Sequence, residues 1–247
     1  MNALAARLAT FAALAGFASY HWFTLVSQPP LWRWAGVLAV TAALGVALEA
    51  LRRVARPVTR IAAAAATVIV AALAGLLVTG VELRLLAPGG WHELRENLDS
   101  GLAGVGQVGL PYAGPDDWTR LGMLLAAPLV LTASGALAFW PARRPPRARR
   151  VVALVGLVAL YGFSVTWEAP SAELARGLAL LAIMAAYLWL PRLPARRTIA
   201  AAGALALAGM VAVPVAARVG AADPLIDYRA WAIFGAEREV SCDWSHS

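Results

Sequence analysis

The sequence predicts an all-α fold: a polytopic membrane bundle of about seven transmembrane helices. Three observations predict it. Of 247 residues, 61% are apolar, whereas a soluble domain holds roughly 45–50% even with glycine counted. The apolar residues fall into seven runs of about 20, the length that crosses a bilayer as a helix. The connections between runs alternate between arginine-rich and acidic. An ordinary soluble domain is thereby excluded. The net charge of +7 at pH 7 would suggest nucleic acid in a soluble chain. Here the arginines are read as topology markers and no nucleic acid is expected.

The runs, in order, are Leu4–Val26, Leu31–Leu51, Ile61–Leu86, Leu121–Trp140, Val151–Trp167, Leu174–Leu190 and Ile199–Val219. Backbone polar groups in lipid must be satisfied within the segment, so each run reads as a helix. The first run also has the form of a cleavable signal peptide, with Arg7 as its basic region and Ala13-Leu-Ala15 as a cleavage site. Cleavage there would strand an apolar remnant reaching Val26, so a retained span is the expectation. The fifth and sixth runs are short and joined by Glu168-Ala-Pro-Ser171, which suits a tight hairpin with Ser171 as an N-cap. The only break read inside a span is Pro214, with apolar neighbours. Ala71-x-x-x-Gly75 reads as a small-residue stripe that lets helices approach closely.

Charge sets the orientation. Arg52, Arg53, Arg56 and Arg60 follow the second run. Arg143, Arg144, Arg147, Arg149 and Arg150 follow the fourth, and Arg192, Arg196 and Arg197 the sixth. These loops contain no acid, while the others hold Glu93, Glu96, Asp99, Asp116, Asp117, Glu168 and Glu173. The positive-inside rule places the N-terminus and Arg7 in the cytoplasm and the C-terminal tail outside, in the inner (plasma) membrane. Trp22, Trp32, Trp34, Trp118 and Trp167 then fall at outer ends, Trp140 and Trp189 at inner ends, as an aromatic belt does.

Residues 1–220 thus form the membrane domain, including the extracytoplasmic loop 87–118, and 221–247 form an extracytoplasmic tail. In the loop, Trp91, Leu94, Leu98, Leu102 and Val105 recur at helical spacing while Glu93, Arg95, Glu96 and Asp99 face away. This predicts an amphipathic helix. It serves either as a connector resting on the bundle or as a docking surface for an extracytoplasmic domain. In the tail, Glu239–Trp244 alternates strictly, with Val240, Cys242 and Trp244 on one face, as in a half-buried strand. A single strand has no partner, so the pattern reads as the first strand of a β-rich domain absent from this chain.

The chemistry-bearing residues are few. Thr132-Ala-Ser134-Gly135 is similar to the Gly-x-Ser-Gly of rhomboid proteases, but no histidine follows on a later span to activate the serine, so close helix packing is expected. Glu49 is placed near an inner helix end, where a pair with Arg53 is expected. Glu82, Arg84 and His21 fall near outer ends, and no role is read for His21 or Glu82. None is central, so a proton or ion relay is poorly supported. Cys242 and His246 lie four apart on a strand, far from each other along it. The single cysteine makes no internal disulfide or metal pair. No catalytic, cofactor-binding or metal site is therefore predicted, and no cofactor.

Three stretches, Glu96–Pro111, Pro224–Gly235 and Glu239–Ser247, together with the layout of spans, resemble the N-terminal membrane region of bacterial transglutaminase-like (TgpA-type) membrane proteins, especially the actinobacterial ones. The resemblance covers nearly all of this chain but only the front third or so of a family member. It implies a module that anchors an extracytoplasmic transglutaminase-like domain in the cell envelope. The family's Cys-His-Asp triad lies in that later domain, so no triad residue carries over. Cys242 departs from the aromatic residue more usual there. The rival reading is a small-molecule permease or a subunit of one, which would require polar residues at mid-membrane and broken helices; a heptahelical sensor has only the span count in its favour.

Overall fold

The computed structural model describes residues 3–28, 30–105, 109–142, 147–167 and 173–192, with the single residues 197 and 203. Among these the chain is helical, and its one extended pairing is an isolated parallel bridge between Val26 and Tyr112. The helices are α1 (Ala3–Phe23), α2 (Leu31–Leu51), α3 (Pro57–Thr79), the single turn α4 (Leu83–Leu86), α5 (Trp91–Val105), α6 (Asp117–Phe139), α7 (Arg147–Trp167) and α8 (Glu173–Trp189). The predicted seventh run Ile199–Val219, the tail 221–247, and the Glu168–Ser171 turn lie outside the described residues.

Four of these helices are long and apolar enough to cross a membrane: α2, α3, α6 and, over Ala148–Thr166, α7. Their burial is uneven, and this identifies what surrounds them. Only 17% of the most apolar stretch of α3 is buried within the protein, against 67% for α6. Val58, Ile61, Ile69, Val70, Leu73 and Leu77 of α3 all stand exposed. Contiguous apolar surface of this extent is untenable in water. It is the surface of a helix that faces lipid, where an all-round apolar helix is at home.

α6 is the central element and packs against α1, α2, α3, α5 and α7. The α1 helix lies between α2, α6, α7 and α8. The core between them is built from Phe11, Leu14, Leu44, Leu48, Leu131, Phe139, Leu157 and Tyr187. Phe11 meets Phe139 edge-on at 5.2 Å. Helix ends gather at two poles. Arg7, Glu49, Ala138, Arg150 and Tyr187 are joined at one, the arginine pole. Trp22, Met123, Tyr112 and Asp116 are joined at the other.

One sequence expectation is corrected here. The third run is not one span to Leu86. It begins earlier, with Pro57 at the first helical position, where its missing N–H costs nothing, and stops at Thr79. Gly80 takes the left-handed conformation (φ 113°), which its lack of a Cβ permits. Its N–H reaches Leu77 O at 3.1 Å and Val81 N–H reaches Leu76 O at 3.1 Å, a Schellman closure. Arg33 Nη1 donates to Thr79 O at 2.9 Å and completes the cap. Hydropathy alone runs through this stop because Val81, Leu83, Leu85 and Leu86 are apolar. Pro128 also lies inside a predicted span, but α6 continues through it as one helix; Pro214 lies outside the described residues.

Candidate functional site

The pole opposite the arginines carries a built platform. Asp116 caps α6: its Oδ1 accepts from Trp118 N at 3.1 Å and its Oδ2 from Thr119 N at 3.2 Å, with the Thr119 hydroxyl donating as well. These donors stabilise the ionised form. The Thr119 hydroxyl, then the Trp118 N–H, hold the Asp116 carboxyl below the usual carboxylate range. The Tyr112 hydroxyl accepts from Asp116 N at 3.2 Å. Tyr112 is tied to the end of α1 through Ser27 N–H to Tyr112 O at 2.9 Å and Tyr112 N–H to Leu25 O at 2.8 Å.

On this capped end lies α5. Gly101 faces the α6 backbone so closely that a Cβ there would stand 2.6 Å from Trp118 O. Leu94 and Leu98 pack on Val81, Leu85, Leu121 and Leu125, and Val105 packs near Tyr112 and Met123. The predicted five-residue stripe is therefore divided. Leu94, Leu98 and Val105 are seated, but Trp91 and Leu102 are 61% and 56% exposed. The backbone contact at Gly101 is the reason: it brings α5 down on the glycine and leaves its flanks proud. Trp91 keeps its indole N–H on Leu86 O at 3.0 Å. The outward face holds His92 against Glu96 at 3.5 Å and Arg95 against Asp99 at 3.7 Å. Arg84 bridges Glu82 and Glu93 beside it. With Trp91, the residues His92, Arg95, Glu96 and Asp99 line a shallow open depression.

The arginine pole brings together Arg7, Glu49, Arg52 and Arg150. Glu49 does not pair with Arg53. Its Oε2 lies 3.2 Å from both Arg7 Nη1 and Arg52 Nε. Arg53 is exposed, and Glu49 is held by Arg7 across the α1–α2 seam and by Arg52 three residues on. Arg7 also donates to Ala138 O at 3.2 Å and stacks over Phe139, so one side chain ties α1, α2 and α6 together. Arg150 donates to Tyr187 O at 2.9 Å and stacks over the Tyr187 ring, which joins α7 to α8.

The remaining candidates are in packing roles. Ser134 is buried, and Gly156 of α7 lies close to its Oγ. Gly135 faces Thr41 and Leu44 of α2. Gly75 sits against Pro128, where a Cβ would stand 3.0 Å from the proline Cβ; the Ala71–Gly75 stripe thus lets α3 approach α6. His21 packs among Phe17, Tyr20 and Tyr161. Cys242 and His246 lie outside the described residues. One feature escaped sequence reasoning: Trp22, read as an interfacial belt residue, donates its indole N–H to Met123 O at 2.6 Å. Trp34 likewise donates to Ser19 Oγ at 3.1 Å. No local signal marks the Trp22 pairing: Pro128 removes the donor to Leu124 O rather than to Met123 O.

No protein-family model, curated protein or solved structure matches the chain.

Proposed function

We propose that the chain is the membrane module of a transglutaminase-like (TgpA-type) cell-envelope protein, with seven spans, a cytoplasmic N-terminus and an extracytoplasmic platform that seats the catalytic domain. The seven spans in this reading are α1, α2, α3, α6, α7, α8 and the apolar run Ile199–Val219 expected from the sequence. The carrying observation is the α5 platform. It rests on the pole opposite the arginines, is held by a backbone-close contact at Gly101, and turns a mixed face of Trp91, His92, Arg95, Glu96 and Asp99 outward. A connector needs to bury only its apolar side. The exposed Trp91 and Arg95 are of residue types enriched at interfaces, and the acidic Glu96 and Asp99 beside them suit a polar rim.

The permease alternative has one observation in its favour, Pro128 within a span. The helix runs unbroken through it, and its close neighbour on α3 is Gly75, so no unwound, polar-lined segment results. Among the described residues Ser134 is in a packing role beside Gly156, which fits an anchoring role. Reporter fusions after Pro146 and after Ser247 test the reading. Opposite sidedness, with Pro146 cytoplasmic, supports it; both junctions on one side contradict it.

A further inference from the structure

We propose that the arginine pole binds one anionic phospholipid, with its phosphate on Arg52 and one acyl chain in the groove between α1 and α2. The groove has a volume of about 260 Å³ and is almost wholly apolar; Leu8, Ala12, Leu38, Ala42 and Val46 are among its walls. It follows the same seam that Arg7 and Glu49 close at the pole: Leu8 is the neighbour of Arg7 in sequence, and Val46 lies one turn before Glu49. At this end Arg52 has donors left over. Its Nη2 is buried with no hydrogen-bond partner, and its Nε meets Glu49 as an ion pair without hydrogen-bond alignment. Arg60 Nε is likewise buried and unpartnered.

A buried guanidinium N–H without an acceptor is costly, and a phosphate offers the several oxygens that a guanidinium fork matches. The local charge has the same sign. Arg7 and Arg52 both lie against the carboxylate of Glu49, and Arg53, Arg56 and Arg60 follow in the connection from α2 to α3. Basic pockets between spans at a membrane surface recognise anionic headgroups. The apolar groove selects a lipid over a free phosphate, because only a lipid fills both parts. The inference needs the helices to lie in a bilayer but does not depend on the extracytoplasmic domain.

Native mass spectrometry of the full chain in neutral detergent tests it, with phosphatidylglycerol, phosphatidylcholine and inorganic phosphate as probes. One phosphatidylglycerol should remain bound at collision energies that strip phosphatidylcholine. Arg52→Gln leaves the Arg7–Glu49 pair in place and should weaken the phosphatidylglycerol adduct about tenfold. Val46→Trp fills the groove from an exposed position and should weaken it by a similar factor without touching the charges. Arg95→Gln, at the opposite pole, should change nothing. Equal retention of phosphatidylcholine, competition by inorganic phosphate alone, or unchanged binding in both the Arg52 and Val46 variants would overturn the proposal.

Discussion

Gly75 packs against Pro128, and a Cβ on the glycine would stand 3.0 Å from the proline Cβ. A leucine at position 75 must push α3 away from α6, and overpacking of this kind costs about 1–3 kcal/mol. Gly75→Leu should therefore lower the thermal stability of the detergent-solubilised protein, while Gly162→Leu, where a Cβ meets nothing within 4 Å, should not. Asp116 gives a pH-dependent counterpart. Its carboxyl is held below the ordinary range by the Thr119 hydroxyl and the Trp118 N–H. A carboxyl whose folded pKa is depressed stabilises the fold above its unfolded value, and this contribution is lost as pH falls through the folded value. Asp116→Ala should thus be less stable than the parent at neutral pH. The difference should close on acidification below the ordinary carboxylate range, as thermal melts at a series of pH values would show. At this scale the sequence was partly legible. The Ala71–Gly75 stripe announced a close approach without naming its partner. The capture of Met123 O by Trp22 was not legible, because the pairing crosses from one helix to another distant in sequence.

At the scale of elements, α2 has the predicted bounds, since Pro30 and the Arg52–Arg53 pair punctuate a plain apolar run. The α6 and α7 helices each start about one turn before their predicted apolar runs. A helix begins at its cap, here Asp116, rather than at its first apolar residue. The end of α3 was misread for the opposite reason: apolar residues continue past Gly80, and only the left-handed glycine with its Schellman closure stops the helix. The α5 helix was read correctly as amphipathic, but its buried face was assigned by side-chain size. The element actually docks through Gly101, which periodicity counts as neutral. Gly101→Val must lift α5 from Trp118 and Thr119, at a cost of about 1–3 kcal/mol. Hydrogen exchange should then accelerate over Leu94–Val105 and remain unchanged in α2 and α3. Equal protection of α5 in this variant would show that the seat does not depend on the backbone contact.

For the whole molecule, composition was enough to place a helical chain against lipid, and the exposed apolar face of α3 carries the same conclusion independently. The polar elements of the candidate site were less legible. The α5 surface follows from the packing of α5 on α6, a long-range contact that no local pattern encodes. The pairing of Glu49 with Arg7 rather than Arg53 depends on which helix lies beside α2, and hydropathy says nothing of neighbours. The account's central claim is that the two poles lie on opposite faces of a membrane, with α5 outside. Impermeant thiol labelling of intact cells measures this directly, using single cysteines at His92 on α5 and at Arg56 beside α3 in a Cys242→Ser background. Both positions are exposed, so access depends on sidedness alone. The account predicts that His92→Cys is labelled in intact cells and Arg56→Cys only after lysis. Labelling of both in intact cells, or of Arg56→Cys alone, would contradict it.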